Sequence, residues 1–282
     1  MAIGVISPAG LELAGDTTET FSWASVTKLV TSLAILLALE EATLSLDDLT
    51  GPYKSSVRNL LSHSSGIGPR PFAGLADNIG LPQRSLSGRY VEGKDLEELQ
   101  CPPETKRIYS NLGFKILAGH LEARSQMSFA EYLIEGVLEP LSMMNLARPD
   151  NLGSPAHGAR GTIGDLMVMA RELLNPELLS PETTLVARTT CHPGLSGILP
   201  GFGHMENNSW GLGFEIKSTK EPHWTSPANT RETFGHFGQS GAFVWIDPVN
   251  RVAFGYLSER PFDSWARDNW HKISSDVLTH FG

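Results

Sequence analysis

The stretch that decides the fold is "FSWASVTKLV", residues Phe21 to Val30, because it places a lysine at the start of the most apolar run of the chain. Lys28 is the first Lys or Arg of the sequence, and Ser25 lies three residues before it. The apolar residues that follow would cover more than half of a helix's circumference. They predict a helix from about Ser25 to Ala42 that is surrounded by protein on most sides. A lysine in such a helix needs a partner or a function.

The motif that Ser25 and Lys28 form has the pattern S-x-x-K. Residues three apart on a helix share a face, so the serine hydroxyl and the lysine amine can meet. Desolvation disfavours the charged form of a lysine, and a neutral lysine beside a serine hydroxyl can act as a general base for nucleophilic attack. Backbone N–H groups at the helix N-terminus would stabilise the oxyanion that develops. The motif alone is weak evidence, because a chain of this composition contains ~0.8 matches by chance.

Length, composition and charge exclude several classes of protein. The chain has 282 residues, of which 40% are hydrophobic and 19% charged, which is typical of a globular protein rather than a disordered one. Its net charge of −9, without a basic stripe, indicates that it does not bind duplex nucleic acid.

The residues before Lys28 include acidic side chains and no basic one, whereas a secretory signal has a positively charged start. The apolar run from Leu29 to Leu39 is too short to cross a bilayer. The two cysteines, Cys101 and Cys191, form neither a CxxC motif nor a disulfide framework. We therefore expect a cytoplasmic protein with two free thiols and no membrane insertion.

The order of the predicted elements indicates an α/β (α+β) fold. Two short strands, around Ile3–Ser7 and Leu11–Ala14, come before the apolar helix, and the clearest hairpin is "GAFVWIDPVNRVAFGYLSE". A final amphipathic helix covers Asp263–Phe281. Further helices are predicted in "VRNLLSHSSGI", "NLGFKILAGHLEA", "SFAEYLIEGVLEPL" and "TIGDLMVMARELL", and further strands in "WGLGFEIK" and "ETFGHFG". Residues 1–50 and 193–282 are expected to form one sheet domain, and residues 51–192 a mainly helical domain across a cleft.

Two further motifs could contribute to the same site. Tyr109 and Asn111 stand at the start of a predicted helix, where a tyrosine can relay protons and an asparagine can hold a substrate amide or the lysine. His236 and Gly238 lie on a predicted strand beside the hairpin. A glycine on an edge strand lets a substrate approach the backbone closely, and the N–H group of Gln239 could stabilise an oxyanion. A surface turn at Tyr109 and a glycine-rich turn at His236 are the alternatives that these short patterns leave open.

These motifs, in this order, resemble those of the serine beta-lactamase-like hydrolases. The similarity is strongest to the class C beta-lactamases, the D-alanyl-D-alanine carboxypeptidases and the family VIII esterases, whose pattern is S-x-x-K, then Y-x-N, then K-T-G or H-x-G. "RNLLSHSSGI", "IYSNLGFKILAGHLE" and "GTIGDLMVMARELL" are similar to further segments of this family. The resemblance covers about residues 21 to 258. It implies a mainly antiparallel sheet flanked by helices, with an inserted helical domain, as in penicillin-binding proteins.

The resemblance also implies a role for each residue. Ser25 would be the acylated nucleophile, Lys28 its activating partner, and Tyr109 the proton relay. Tyr109 would be the base for deacylation, and Lys28 is the alternative that the sequence leaves open. Asn111 would contact the substrate, and His236 would take the place of the basic residue of the third motif. The N–H groups of Ser25 and Gln239, next to Gly238, would form the oxyanion hole. No metal and no cofactor are implied.

The sequence departs from the lactamase pattern at His236, where lactamases and carboxypeptidases usually have lysine. A histidine, with a reference pKa of ~6.5, is mostly neutral at pH 7 and cannot offer a fixed charge to a substrate carboxylate. This favours a carboxylesterase-type activity on small esters or amides. The alternatives are beta-lactamase or D-alanyl-D-alanine carboxypeptidase activity and a catalytically idle binding protein on the same fold. The substrate-contacting loops are expected in Gly66–Pro103 and Gly194–Asn208, and the sequence leaves the physiological substrate and the oligomeric state open.

Overall fold

The structure is a computed structural model that describes residues 1–69 and 97–282. In chain order, its strands are β1 (Ala2–Ser7), β2 (Gly10–Gly15), β3 (Phe21–Ser22), β4 (Leu49–Thr50), β5 (Ser55–Ser56), β6 (Ile67–Pro69), β7 (Glu97–Leu99), β8 (Arg160–Gly161), β9 (Gly197–Leu199), β10 (Gly203–Met205), β11 (Glu215–Ile216), β12 (Phe234–Phe237), β13 (Phe243–Asp247) and β14 (Val252–Leu257). Its α-helices are α1 (Thr27–Glu40), α2 (Val57–Leu61), α3 (Asn111–Ser125), α4 (Phe129–Leu133), α5 (Ile163–Leu174), α6 (Pro181–Ala187) and α7 (Ser264–Phe281).

One antiparallel sheet, in the order β11-β12-β13-β14-β1-β2, organises the molecule. Its central strands alternate between two hydrophobic clusters, as side chains on a pleated strand must. Phe243 and Trp245 of β13 face the cluster under α7, whereas Val244 and Ile246 face the cluster that contains α1 and α5. The sheet is thus covered by helices on both faces, which confirms the predicted fold class.

Helix α1 is the centre of the helical layer. It packs against α3, α4 and α6, and 11 of its 14 residues are buried, as predicted for a helix surrounded by protein. It begins at Thr27, close to the predicted start near Ser25, and Ser25 itself lies in a 3-10 turn, Ala24–Val26, that directly precedes it. Ala24 has a left-handed backbone, with φ of 44°, which interrupts the helical conformation at that point.

The other predicted elements are found with shifted ends. The first two strands, the hairpin of β13 and β14, and α7 are confirmed, and α4 begins with the expected capping box of Ser128 and Glu131. In "WGLGFEIK" only Glu215–Ile216 forms a strand. The N–H groups of Leu212 and Gly213 instead donate to carbonyl groups at the ends of α6 and α2.

The sequence predicts that Gly66–Pro103 forms a wall of the substrate site, and residues 70–96 of this segment lie outside the described residues. Both cysteines are free. Within residues 1–69 and 97–282, no helix is both long and apolar enough to span a membrane.

Candidate active site

Ser25 lies on the turn between β3 and α1, half-buried at the edge of a cavity. The turn is held on both sides: Trp23 N–H donates to Ala159 O at 2.9 Å, and Val26 N–H donates to Trp23 O at 3.0 Å. The left-handed backbone of Ala24 costs of order 1–3 kcal/mol, since it is a residue with a Cβ. Strain of this kind persists only where the surrounding contacts enforce it, so the backbone that carries Ser25 is held in place by these contacts.

Lys28 lies on the first turn of α1 and is completely buried. Its Nζ donates to Asn111 Oδ1 and to Ala156 O, both at 2.7 Å. Nζ also lies 4.6 Å from the centre of the Tyr109 ring and 5.5 Å from that of Phe114. These neutral oxygens and aromatic rings hold the amine in one place.

Tyr109 and Asn111 flank Ser110, the residue directly before α3. Ser110 is the N-cap, and its hydroxyl accepts from Gly113 N–H at 2.9 Å. Asn111 is the first residue of the helix and holds Lys28, which is one of the two roles that the sequence left open for it. The start of α3 therefore places both the tyrosine ring and the asparagine amide against the lysine amine.

His236 is buried at the end of β12. Its Nδ1 lies 2.6 Å from the Phe237 carbonyl oxygen. A carbonyl can only accept, so the ring proton is on Nδ1 and Nε2 is left as an acceptor. Burial, with the Lys28 ammonium nearby, lowers the pKa of His236 to about 3. The ring is therefore neutral at pH 7.

Gly238 brings the following backbone against the Ser25 turn. A Cβ at this position would lie 2.5 Å from Trp23 O and 3.1 Å from Ser25 N. No side chain fits there without a shift of the main chain, so the close approach requires glycine. Gln239, the next residue, lines the cavity, and its side-chain amide donates to Phe262 O at 3.3 Å. The N–H groups of Ser25 and Gln239 thus belong to two segments in close contact.

The cavity has a volume of about 240 Å³. It gathers residues that are up to some 210 positions apart in the chain, including five of the seven predicted site residues. Of the other two, Lys28 contacts the site through Asn111 and Tyr109, and Gly238 lies against the Ser25 turn. The lining residues are Ser25, Tyr109, Asn111, Leu199, Pro200, Trp210, Glu215, His236, Phe237 and Gln239.

A buried charged cluster beside the cavity was not predicted. Glu215 forms an ion pair with Lys220 and accepts from His223 Nε2 and from Trp224 Nε1, each at 3.0 Å. Burial alone would raise the pKa of the Glu215 carboxyl, but the Lys220 ammonium and His223 hold it well below its usual range. Lys220 Nζ also donates to Ser209 O at 2.8 Å.

The cluster therefore connects β11, at the edge of the sheet, to the segment that follows the β9–β10 hairpin. Leu199 and Pro200 of that hairpin line the cavity. Glu215 lies in a predicted strand, but Lys220 and His223 follow it in a stretch without helix or strand periodicity, so no sequence pattern could have grouped them. Within the described ranges, no group of three or more His, Cys, Asp or Glu side chains could hold a metal ion.

Comparison with known proteins decides the family. The model of the family described as Beta-lactamase matches residues 14–276. The chain belongs to the beta-lactamase family. A solved structure described as a beta-lactamase from Mycobacterium bovis is 40% identical, has a TM-score of 0.86, and is matched over 99% of this chain and 94% of that chain.

Other members and neighbours have different descriptions. AmpH of Escherichia coli strain K12, a D-alanyl-D-alanine-carboxypeptidase/endopeptidase, is 24% identical over 282 residues, which cover 84% of this chain and 70% of AmpH. EstCE1, described as a hydrolase with promiscuous acyltransferase activity, is 17% identical with a TM-score of 0.71, over 97% of this chain and 93% of EstCE1. At that identity the likeness shows the fold alone. Membership in the beta-lactamase family supports the general class of serine hydrolases, and it confirms the resemblance drawn from the sequence.

Proposed function

We propose that the protein is a carboxylesterase-type serine hydrolase that forms an acyl-enzyme on Ser25. The observation that carries the proposal is a cavity lined by Ser25, Tyr109 and a neutral His236, with the buried Lys28 amine held against Asn111 and the Tyr109 ring. Fold alone does not establish an activity, so the proposal depends on these side chains.

Acylation begins with attack of Ser25 Oγ on the ester carbonyl carbon. The Lys28–Tyr109 pair takes the hydroxyl proton, and the carbonyl oxygen becomes an oxyanion that accepts from the N–H groups of Ser25 and Gln239. The bond from carbon to the alcohol oxygen then breaks. The pair returns its proton to the leaving alkoxide, so that it ends the step in the state in which it began.

Deacylation uses water in place of the serine hydroxyl. We assign the base to Tyr109, because Tyr109 lines the cavity whereas Lys28 Nζ is held by Asn111 Oδ1 and Ala156 O. The Tyr109–Lys28 pair takes a proton from water while the oxygen attacks the acyl carbon. The acyl–Ser25 bond breaks, Ser25 Oγ regains the proton, and a carboxylic acid leaves.

The preference for uncharged substrates follows from His236. Its Nε2 is a buried acceptor with no partner in the part of the chain that the structure describes. An acceptor suits a substrate N–H or O–H group and repels a carboxylate. Among the described residues that line the cavity there is no Lys or Arg, and Glu215 adds a carboxylate to the wall. A small neutral ester or amide fits this wall better than a lactam acid does.

A lactamase or D-peptidase activity is the second candidate. It is favoured by the descriptions of two similar proteins, the beta-lactamase from Mycobacterium bovis and AmpH. A catalytically idle binding protein is the third candidate, and it would bind the same small molecules without turning them over.

Side-by-side kinetics distinguish the three candidates. The wild type and Ser25→Ala are assayed with a nitrophenyl ester series, a chromogenic cephalosporin and a D-alanyl-D-alanine peptide, and both are treated with a fluorophosphonate probe. We expect the wild type to be labelled and to hydrolyse short esters with the highest kcat/KM, and Ser25→Ala to lose both properties. Ser22→Ala, which changes a serine of β3 outside the cavity lining, is the matched control.

Other results would point elsewhere. A higher kcat/KM for the cephalosporin or the peptide would replace the esterase proposal with the second candidate. Labelling of Ser25 without turnover of any substrate would favour the idle binding protein. Turnover that persists in Ser25→Ala would exclude the acyl-enzyme on Ser25.

A further inference from the structure

Tyr109 is held on both sides by one residue of another segment, His63. The carbonyl of His63 accepts from Ile108 N–H at 2.9 Å, and its Nδ1 accepts from Ser110 N–H at 3.2 Å. These are the N–H groups of the residues directly before and after Tyr109. The backbone that carries the tyrosine is therefore fixed by a single histidine that lies 46 positions earlier in the chain.

The His63 ring also contacts the Tyr109 ring. The two ring centres are 4.6 Å apart at an interplanar angle of 37°, and the edge of Trp210 meets the His63 ring at the same distance. Phe114 closes a third side at 5.4 Å. His63 is 1% exposed, so the ring fills the space behind the tyrosine and limits its movement away from the cavity.

The conformation and ionisation of His63 suit this role. Its backbone is left-handed, with φ of 55°, and this turns both its carbonyl and its side chain toward the Tyr109 segment. Because Nδ1 accepts from a backbone N–H, the ring proton is on Nε2. Burial, with Lys28, His236 and Arg107 nearby, keeps the pKa of His63 well below 6.5. The neutral ring adds no charge beside the lysine.

We propose that His63 is a positioning residue that holds Tyr109 in the geometry required for proton transfer to and from Ser25. The inference rests on the proposed function, because it gives His63 a role only through Tyr109. Tyr109 precedes α3 and belongs to no strand, so its position depends on contacts such as these. A displacement of about 1 Å in a group that transfers a proton can cost ~100-fold in rate.

A pair of substitutions separates the positioning role from a packing role. In His63→Asn, the side-chain oxygen can replace Nδ1 as the acceptor for Ser110 N–H, and asparagine tolerates the left-handed backbone. In His63→Gln, the acceptor lies one carbon further from the backbone. We expect His63→Gln to lower kcat for nitrophenyl acetate by ~10–100-fold with KM changed less than ~2-fold, and His63→Asn to remain within ~5-fold of the wild type. Thermal melting shows whether each variant is folded.

The His63→Gln substitution in a Tyr109→Phe background tests whether His63 acts through the tyrosine. If it does, His63→Gln should lower kcat by less than ~3-fold in that background, because the phenol that His63 positions is already absent. Should His63→Gln not fold, His63→Ala serves as the variant without the acceptor. Equal losses in both backgrounds, equal kcat values for the Asn and Gln variants, or a His63→Gln enzyme within ~2-fold of the wild type would each overturn the inference.

Failure of this inference differs visibly from failure of the proposed function. If only the role of His63 is wrong, Ser25 is still labelled by the fluorophosphonate and Ser25→Ala is still inactive. If the proposed function is wrong, those two results fail whatever His63 does.

Discussion

At the scale of single residues, the proposed preference for uncharged substrates depends on His236. Its proton is on Nδ1 and its Nε2 is a neutral acceptor, as the 2.6 Å contact to Phe237 O requires. A lysine at this position would instead offer a charge to a substrate carboxylate, and a hydrogen bond with a charged partner contributes about 1.5–3 kcal/mol.

The substitution His236→Lys should therefore change the preference of the enzyme. We expect the ratio of kcat/KM for a chromogenic cephalosporin to that for nitrophenyl acetate to rise by ~10-fold or more. His280→Lys, which adds the same charge at an exposed position of α7, should leave the ratio unchanged. An unchanged ratio in His236→Lys would mean that this residue does not select the substrate.

His236 should also make the fold sensitive to acid. Its pKa of about 3 in the folded protein is lower than the ~6.5 of an unfolded histidine, so the unfolded chain binds the proton first. Its contribution to stability is complete above pH 6.5 and is lost progressively as the pH falls toward 3, by up to ~1.4 kcal/mol per pH unit. Urea unfolding at pH 7 and pH 5 should show a smaller loss of stability for His236→Asn than for the wild type. Equal losses would contradict the buried neutral state.

At the scale of elements, the sheet and α5 approach each other across glycines. A Cβ at Gly255 of β14 would lie 2.7 Å from Met167 Sδ and 3.0 Å from Leu166 Cδ2, both in the core. Gly255→Ala should lower the free energy of unfolding by ~1–3 kcal/mol through overpacking. Gly119→Ala, in α3 with open space around it, should instead stabilise the protein by ~0.5–1 kcal/mol. Urea denaturation of both variants checks the two signs, and a stabilising Gly255→Ala would contradict this packing.

The buried ion pair of Glu215 and Lys220 lies at the β11 edge of the sheet, where Lys220 also donates to Ser209 in the segment that follows the β9–β10 hairpin. Lys220→Met leaves the buried Glu215 carboxylate without its cation and should lower the free energy of unfolding by ~3–5 kcal/mol. Adding Glu215→Gln removes the unpaired charge, so the double variant should be more stable than Lys220→Met alone. A double-mutant cycle measured by urea unfolding gives the coupling free energy between Glu215 and Lys220. If the losses of the two single variants add up to that of the double variant, the two side chains do not stabilise each other.

At the scale of the whole molecule, the sequence predicted the site better than it predicted its surroundings. The S-x-x-K, Y-x-N and H-x-G patterns lie in or beside regular elements, where periodicity locates them. The structure brings Ser25, Tyr109, Asn111, His236 and Gln239 to one cavity. The roles proposed for them stay predictions until they are measured.

The remaining features depend on contacts between distant segments. The left-handed backbones at Ala24 and His63 have no reliable signal in a single sequence, since non-glycine residues rarely adopt them. The bonds from His63 to the Tyr109 segment join positions far apart in the chain, and so does the contact of Gly238 with Ser25. The division of the chain into a sheet domain and a helical domain at residues 50 and 192 stays a prediction, and so does the cytoplasmic location.

The most direct test of the central claim is the mass of the Tyr109→Phe variant after brief exposure to nitrophenyl acetate. Loss of the phenol should slow deacylation more than acylation, so the acetylated enzyme should accumulate, and peptide mapping should place the acetyl group on Ser25. An unmodified protein that still hydrolyses the ester, or an acetyl group on any residue other than Ser25, would contradict the account.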